Sequence, residues 1–227
     1  MNQVMYEELE ALFESSTIKP SFEEVHVILS LFIFDENREG IGRYRLQKEL
    51  LIGEGTAKSL IKKLNEKTRF LTVTDKGRRK GHVLTEKGNN FLEEIKKKIP
   101  LLRRGDTSLL KSITIESFNI TPYFCLIKTA AENITNGIEQ RDAAIKVGGK
   151  GATCLIYNGK DLVFPSRVDS EDSFNIVKND ILNYFKHEIT KNKFDLEKDD
   201  VIIIGSGESE QKSRLAALNS ALTLIGG

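Results

Sequence analysis

The chain has 227 residues, and its 34 Lys and Arg residues nearly balance its 33 Asp and Glu residues, giving a formal net charge of +1. This composition excludes a uniformly basic or acidic protein, while the 39% of hydrophobic residues is enough to build a core. No apolar run approaches the roughly 20 residues of a membrane-spanning helix, and the acidic N-terminus does not resemble a secretory signal, so we expect a cytoplasmic protein without a membrane partner.

The first hundred residues are predicted to alternate between helices and turns. Helices are expected over residues 5–13, 22–34, 44–50, 56–66 and 85–99, the last of them capped by Thr85, and two short strands are expected over residues 70–74 and 82–84. Gly53 and Gly55 fall in a tight turn before the fourth helix, and we expect them to permit this turn and a close approach of the backbone to a phosphate. A glycine-containing basic loop joins the two strands. From residue 22 onward the order is helix, helix, turn, helix, hairpin and helix, which is typical of a winged helix-turn-helix domain.

The helix over residues 56–66 is the predicted recognition helix. Its apolar residues recur at helical spacing and should face the core: Ala57, Leu60, Ile61 and Leu64. The opposite face carries hydroxyl and ammonium groups, and a recognition helix places such a face in the major groove. We therefore predict double-stranded DNA as a partner. The predicted contacts are Arg43, Arg45, Thr56, Lys58, Ser59, Lys62 and Lys63 on the helices, and Lys76, Arg78, Arg79 and Lys80 at the hairpin tip.

The charge distribution supports the same prediction. Residues 36–104 contain 19 basic and 9 acidic side chains, a net charge of +10, and the rest of the chain carries −9. The densest basic cluster is at the hairpin tip, where Arg and Lys side chains can follow a phosphate backbone or enter a minor groove. A lysine-rich helix face is also typical of a solvated surface, and winged helices also bind proteins. A protein-interaction module without a DNA role is therefore an alternative.

Beyond a linker predicted at residues 103–108, the pattern changes. Strands are expected over residues 120–129, 152–157, 162–164 and 201–204, and helices over residues 135–147, 174–189 and 215–225. Asn158-Gly159 marks a hairpin between the second and third of these strands. The order β-α-β-β-α-β-α begins like a ferredoxin-like split βαβ fold. We predict the α+β class, with a winged helix-turn-helix over residues 1–102 followed by an α/β sandwich over residues 103–227.

The sequence resembles archaeal regulators in both halves. The stretch from IGRYRLQKELLIGEGTAKSLIKKL to GRRKGHVLTEKG is similar to the winged-helix domain of such proteins, including the archaeal nitrogen-regulation repressor. The stretch GIEQRDAAIKVGGKGATCLIYNGKDLVFP is similar to an archaeal family in which such a domain precedes an uncharacterised one (domain of unknown function 4443). The resemblance implies a transcriptional regulator of archaeal origin, and it implies no particular effector.

The C-terminal half has two candidate sites for a small anionic effector. One is the strand-to-helix turn at residues 205–209 (GSGES), whose backbone N–H groups could hold a phosphate or carboxylate, although an ordinary turn has the same pattern. The other is the polar helix around Arg141, whose guanidinium can bind a carboxylate through two hydrogen bonds, although such a face is also typical of a solvated helix. The predicted ligand residues are Arg141, Asp142, Lys150, Gly205, Ser206, Gly207 and Ser209.

The sequence gives little support for catalysis. His26, His82 and His187 are dispersed, no metalloprotease or α/β-hydrolase motif is present, and Cys125 and Cys154 fall in predicted strands. We expect no enzymatic activity, no cofactor and no bound metal. An enzyme domain fused to a regulatory winged helix is the alternative. The apolar faces of the first and fifth helices suggest a homodimer, although they could equally pack within one chain.

Overall fold

The computed structural model describes residues 3–14, 20–74, 81–114, 121–165 and 176–225, with side chains from residue 7 onward. The chain is of the predicted α+β class, with mainly helices in its N-terminal part and the larger sheet in its C-terminal part. It divides into two compact units, Met1–Ile95 and Lys96–Gly227, which we call unit 1 and unit 2. Within the described ranges, no helix has both the length and the apolarity that crossing a membrane requires.

In its described residues, unit 1 consists of helices around a small sheet. The helices are α1 (Gln3–Phe13), α2 (Glu24–Glu36), α3 (Arg43–Leu50), α4 (Glu54–Glu66) and α5 (Glu86–Lys96). Strands β1 (Leu71–Thr74) and β2 (Gly81–Leu84) pair antiparallel, and an isolated bridge joins Ile41 to His82 at the edge of β2. This order of elements agrees with the prediction for residues 22–99. Helix α2 is buried over most of its length, as its continuous apolar sequence indicates.

Two local features fix helix starts in unit 1. The backbone N–H of Glu23 donates to Nδ1 of His26 (3.0 Å), which forms half of a capping box at the start of α2. Burial lowers the pKa of His26, so the neutral imidazole can accept this hydrogen bond. At the start of α5 the Thr85 hydroxyl accepts from the N–H of Gly88 (3.1 Å), as predicted for a cap. A side chain at Gly88 would overlap the carbonyl oxygen of Phe70, so this close packing requires glycine.

Unit 2 is built on a five-stranded sheet with helices on both faces. The strands are β3 (Leu101–Arg104), β4 (Tyr123–Ile127), β5 (Gly151–Tyr157), β6 (Leu162–Val163) and β7 (Val201–Ser206), in the spatial order β3-β4-β7-β5-β6. The helices are α6 (Thr107–Leu110), α7 (Ile138–Lys146), α8 (Asn179–Lys191) and α9 (Glu210–Leu222), with a short 3-10 helix at Ala131–Asn133. Each strand runs antiparallel to its neighbours.

The sheet order differs from the ferredoxin-like arrangement. Strands β4 and β5 are mutually parallel with β7 between them, and β6 and β7 are mutually parallel with β5 between them, so both pairs are split βαβ units. A ferredoxin-like sheet has the first and third of its four strands at the centre, whereas here the fourth and second are central. The predicted linker is also wrong in its first part, because Arg103 and Arg104 belong to β3 and pair with β4. Unit 2 accordingly begins before residue 103.

Both faces of the central strand are covered. On one face, Phe124, Leu155 and Ile204 pack against Phe185 of α8 in a continuous apolar core. On the other face, α7 and α9 pack against the sheet, and Gly205 lets α9 approach so closely that a Cβ atom there would lie 2.6 Å from the carbonyl oxygen of Ser213. Because helices cover both faces, every residue of β7 is buried.

A buried carboxylate fixes the loops at one end of this sheet. Asp200 is fully buried and accepts hydrogen bonds from Nζ of Lys128 (2.7 Å) and from the backbone N–H groups of Thr129 (3.0 Å) and Glu197 (2.8 Å). The ammonium of Lys128 also lies 2.6 Å from the carboxylate of Glu197. The adjacent Asp199 contributes backbone hydrogen bonds and has a left-handed φ of 71°. The packing of these loops therefore depends on the side chain of Asp200, whereas Asp199 contributes through its backbone.

Candidate nucleic-acid interface

The turn between α3 and α4 is made by a residue other than glycine. Leu51 adopts the left-handed conformation (φ 54°) at the end of α3, and Gly53 is an extended N-cap of α4. Gly55 lies in the first turn of α4, where an added Cβ atom would meet no atom of the described residues within 4 Å. The prediction that Gly53 and Gly55 permit the tight turn is therefore wrong. The two glycines instead leave the surface at the start of α4 open to a close partner.

Helix α4 has one buried face and one exposed face. Its predicted core residues are buried: Ala57, Leu60, Ile61 and Leu64. We define the α4 exposed face as Gly55, Lys58, Ser59 and Lys62, which recur at helical spacing. Within the described parts of the chain, Lys58 and Ser59 form no ion pair or side-chain hydrogen bond, and Lys62 makes a long ion pair with Glu66 (3.8 Å). This face therefore presents cations and a hydroxyl to solvent.

Two predicted contacts lie instead on the flank of α4 that faces the N-terminal segment. The hydroxyl oxygens of Thr56 and Ser21 are 2.6 Å apart. The ammonium of Lys63 donates to the carbonyl oxygens of Leu12 (2.6 Å) and Glu14 (2.9 Å), which satisfies backbone groups at the end of α1. The placement of Thr56 and Lys63 on the solvent face is therefore wrong. Thr56 lies about a quarter of a helical turn from Gly55, and the sequence alone does not show what covers that flank.

The two arginines of α3 differ in their surroundings. Arg43 pairs with Glu54 at the start of α4 (2.9 Å), and its guanidinium lies 4.9 Å from the ring centroid of Tyr44. Arg45 is exposed and has no such partner within the described residues. Tyr44 is 65% exposed, and the sequence analysis missed it. The signal that could have found it is the triplet Arg43-Tyr44-Arg45, an aromatic residue flanked by cations.

The predicted hairpin tip lies outside the described residues, and with it the candidate contacts Lys76, Arg78, Arg79 and Lys80. The base of the hairpin is described. There His82 pairs with Val73 across the hairpin and bridges to Ile41. Burial lowers the pKa of His82, so its imidazole is neutral at pH 7. The basic character of the hairpin therefore comes from the sequence of its tip and not from this histidine.

The glycine-containing turn between β7 and α9 is occupied by the protein itself. Ser209 caps α9 by accepting from the N–H of Lys212 (3.2 Å), and a Cβ atom at Gly207 would lie 2.6 Å from that of Lys212. The carboxylate of Glu208 accepts from Lys150 (2.7 Å) and Lys212 (2.9 Å), and these hydrogen bonds lower its pKa to about 2. Packing and an internal ion pair thus account for residues 205–209 and Lys150. The open anion site predicted from Gly205, Ser206, Gly207 and Ser209 is not formed.

The second predicted ligand set is divided by the structure. Nε and Nη2 of Arg141 both donate to Oδ1 of Asp142 (3.0 and 2.8 Å), so Asp142 neutralises the arginine rather than extending a site. Arg141 also lines a cleft of about 310 Å³ that reaches Cys154, and Lys150 does not line this cleft. Among the predicted ligand residues, Arg141 is therefore the one that lines this cleft.

The thiols and the carboxylates give no support to an active site in the described ranges. Burial raises the pKa of Cys125, and burial raises the pKa of Cys154 to about 12, so both are protonated and unreactive at neutral pH. No cluster of three or more potential metal ligands occurs among the residues whose positions are described. The prediction that the chain is not an enzyme stays a prediction.

The chain is similar to known proteins both in part of its sequence and in its fold. Residues 120–224, which form most of unit 2, match the sequence model of a family described as a domain of unknown function (DUF4443). The chain is similar in structure to a hypothetical protein, PH0730, from Pyrococcus horikoshii OT3, with a TM-score of 0.65 and 23% sequence identity over 90% of this chain and 94% of that one. No curated protein matches the sequence. The predicted resemblance to the DUF4443 family is therefore confirmed for unit 2, and the similar structure extends the likeness in fold to most of the chain.

Proposed function

We propose that unit 1 is a winged helix-turn-helix module, and that the protein is a cytoplasmic DNA-binding transcriptional regulator controlled by a small ligand bound to unit 2. The observation that carries the proposal is the α4 exposed face. It follows a tight turn from α3, it holds Lys58, Ser59 and Lys62 side by side, and its Gly55 leaves room for a close partner. This is the arrangement by which a recognition helix docks in a major groove.

The distribution of charge supports a polyanionic partner over a protein partner. Residues 36–104 carry a net charge of +10, whereas the remainder of the chain is acidic. Each phosphate that such a surface neutralises releases condensed counterions, which gives favourable free energy for any DNA sequence. Sequence preference would then come from side chains that reach base edges, and Ser59 and Lys62 are placed on the exposed face to do so. In the proposed complex, the basic hairpin tip lies along the adjacent backbone.

A homodimer on a two-fold symmetric operator is part of the proposal. We propose that its interface lies elsewhere than on the apolar faces of α1 and α5 that the sequence suggested, because the described apolar residues of these helices are already buried in one chain. Leu9 and Leu12 of α1 are at most 4% exposed, and Phe91 and Ile95 of α5 are likewise buried. In their described side chains, these helices therefore have little apolar surface left to offer to a second copy.

The proposal is tested by selecting genomic DNA fragments with the purified full-length protein and then measuring affinity for a selected duplex by fluorescence anisotropy. Between about 50 and 200 mM salt, affinity should fall steeply, with a slope of about −0.9 per phosphate contacted. The double substitution Arg78→Ala and Arg79→Ala should reduce that slope by up to about 1.8 for all sequences alike. The control is Lys160→Ala, at an exposed lysine in unit 2. Absence of binding at low salt would leave the protein-interaction module as the better hypothesis.

A further inference from the structure

A cleft in unit 2 combines apolar walls with the guanidinium of Arg141, the one cationic group among its described lining residues. It has a volume of about 310 Å³ and lies between the start of α7, strand β5 and the end of β6. Its apolar walls include Ile113, Ile138, Phe164 and Pro165, and Arg141 contributes a guanidinium. This volume is at the lower end of the roughly 300–1,000 Å³ of small-molecule sites, which also combine apolar walls with a few polar groups.

We propose that this cleft binds a small organic carboxylate with a compact apolar body. The proposal rests on the proposed function for its purpose, since such a ligand would be the effector of a regulator. Binding itself does not depend on DNA.

The depth of the cleft depends on a glycine. Gly137 has a left-handed φ of 75°, and a Cβ atom on it would lie 3.6 Å both from Sγ of Cys154 and from Cγ of Pro165. Any larger side chain at this position would fill space between these two groups. Cys154 is protonated, because burial raises the pKa of its thiol. The interior of the cleft therefore holds no thiolate that would repel an anion.

The anion-binding group is already oriented but weakly held. The guanidinium of Arg141 donates two hydrogen bonds to one oxygen of Asp142, and both side chains are about half exposed (50% and 60%). An ion pair that is exposed to this extent contributes little and can be exchanged for another carboxylate. Arg141 also lies in the first turns of α7, where the helix dipole favours a negative charge. A carboxylate whose apolar body enters the cleft would thus replace Asp142 as the partner of Arg141.

The test is isothermal titration calorimetry of the full chain without DNA, with benzoate and isovalerate as probes and with benzamide as the uncharged analogue of benzoate. We expect at least one of the two carboxylates to bind and benzamide to bind much more weakly. Arg141→Gln should weaken carboxylate binding about tenfold or more, because a hydrogen-bonded charge is lost. Asp142→Asn should strengthen binding up to about fivefold, because it frees the guanidinium.

A matched control removes the same charge from the same helix. Lys146→Gln should leave binding unchanged, because Lys146 does not line the cleft. Ala152→Leu, which fills the cleft at strand β5, should abolish binding of the probe, and the far-ultraviolet circular dichroism of each variant reports whether it is folded. The proposal is overturned if neither carboxylate binds at ligand concentrations of up to about 10 mM, where weak binding is still detected. It is also overturned if Arg141→Gln and Lys146→Gln weaken binding equally. Loss of DNA binding in the separate anisotropy assay would refute the proposed function without affecting this result.

Discussion

Removing the charge of Lys62 should affect DNA binding, whereas removing the charge of the adjacent Lys63 should affect stability. Lys62 lies on the α4 exposed face, with only a 3.8 Å ion pair to Glu66 between two well-exposed side chains. Lys63 donates two short hydrogen bonds to the carbonyl oxygens of Leu12 and Glu14. We predict that Lys62→Ala reduces DNA binding with little change in stability, and that Lys63→Met reduces stability with little change in DNA binding.

The size of each effect follows from the contacts. The exposed ion pair of Lys62 contributes less than about 0.5 kcal/mol to the free energy of unfolding. Losing one phosphate contact lowers the slope of log affinity against log salt by about 0.9. The increase in DNA affinity between 200 and 50 mM salt then becomes about 3.5-fold smaller. Charge-assisted hydrogen bonds contribute about 1.5–3 kcal/mol each when shielded. Because Lys63 is only half-buried, we expect about 1–2 kcal/mol for its two bonds together. In a domain of this size, that lowers the melting temperature by very roughly 4–15 °C.

The two variants should be measured side by side by thermal unfolding and by anisotropy against one duplex at several salt concentrations. Lys58→Ala serves as a second member of the exposed class, because it lies on the same face as Lys62. The assignment of Lys62 to the α4 exposed face and of Lys63 to the flank that faces the N-terminal segment is contradicted if Lys63→Met lowers the salt slope as much as Lys62→Ala does. The proposed DNA interface itself fails if neither Lys58→Ala nor Lys62→Ala changes affinity or slope.

Three further predictions concern the scaffold. Because the pKa of His26 is lowered in the folded state, the stability that neutral His26 contributes is present above its unfolded pKa and is lost as the pH falls through its folded pKa. Gln at this position can still accept the capping hydrogen bond but does not titrate. His26→Gln should therefore recover about 1 kcal/mol of the stability lost near pH 5, as measured by urea unfolding. Asp200→Asn should cost about 3–5 kcal/mol because it breaks a buried ion pair, and an equal loss in the control Asp199→Asn would contradict the assignment. Gly205→Ala should lower the free energy of unfolding by about 1–3 kcal/mol or more, because the added Cβ atom would overlap the backbone of α9. Gly55→Ala should be neutral or stabilising in the same unfolding assay, because its Cβ atom would meet no described atom within 4 Å.

The sequence pattern correctly predicted elements whose structure depends on residues that lie close together in the chain. The core face of α4, the cap at Thr85 and the hairpin at Asn158-Gly159 were all predicted correctly, because each depends on spacing within a short segment. Asn158 accepts hydrogen bonds from the N–H groups of Lys160 and Asp161, and Gly159 has a positive φ of 97°, as such a turn requires.

Long-range pairing was beyond the reach of the sequence. No strand was predicted at β3, and its last two residues, Arg103 and Arg104, were assigned to the linker, because Leu-Leu-Arg-Arg has only two apolar residues and lies at the edge of the sheet. The central place of β7 depends on pairing with strands that lie far away in the chain, and local pattern does not specify those partners. The same limitation affected Lys63 and Lys150, because the residues next to them in the sequence give no indication of the carbonyl oxygens that bind Lys63 or of the carboxylate that binds Lys150.

The two glycine-containing turns show how the structure separates a site for a partner from a site of packing. Both were predicted to allow a phosphate or carboxylate to approach the backbone, since glycine lacks the side chain that would block it. At Gly205 and Gly207 the space above the backbone is filled by α9, so these glycines are explained by helix packing. Among the described residues, none has an atom in the corresponding space at Gly55, and at Gly53 only the hydroxyl of Thr56 comes within 4 Å. The open turn adjoins Lys58, which has no ion pair or side-chain hydrogen bond among the described residues. This supports our proposal that a phosphate backbone binds to unit 1, and not to the β7–α9 turn.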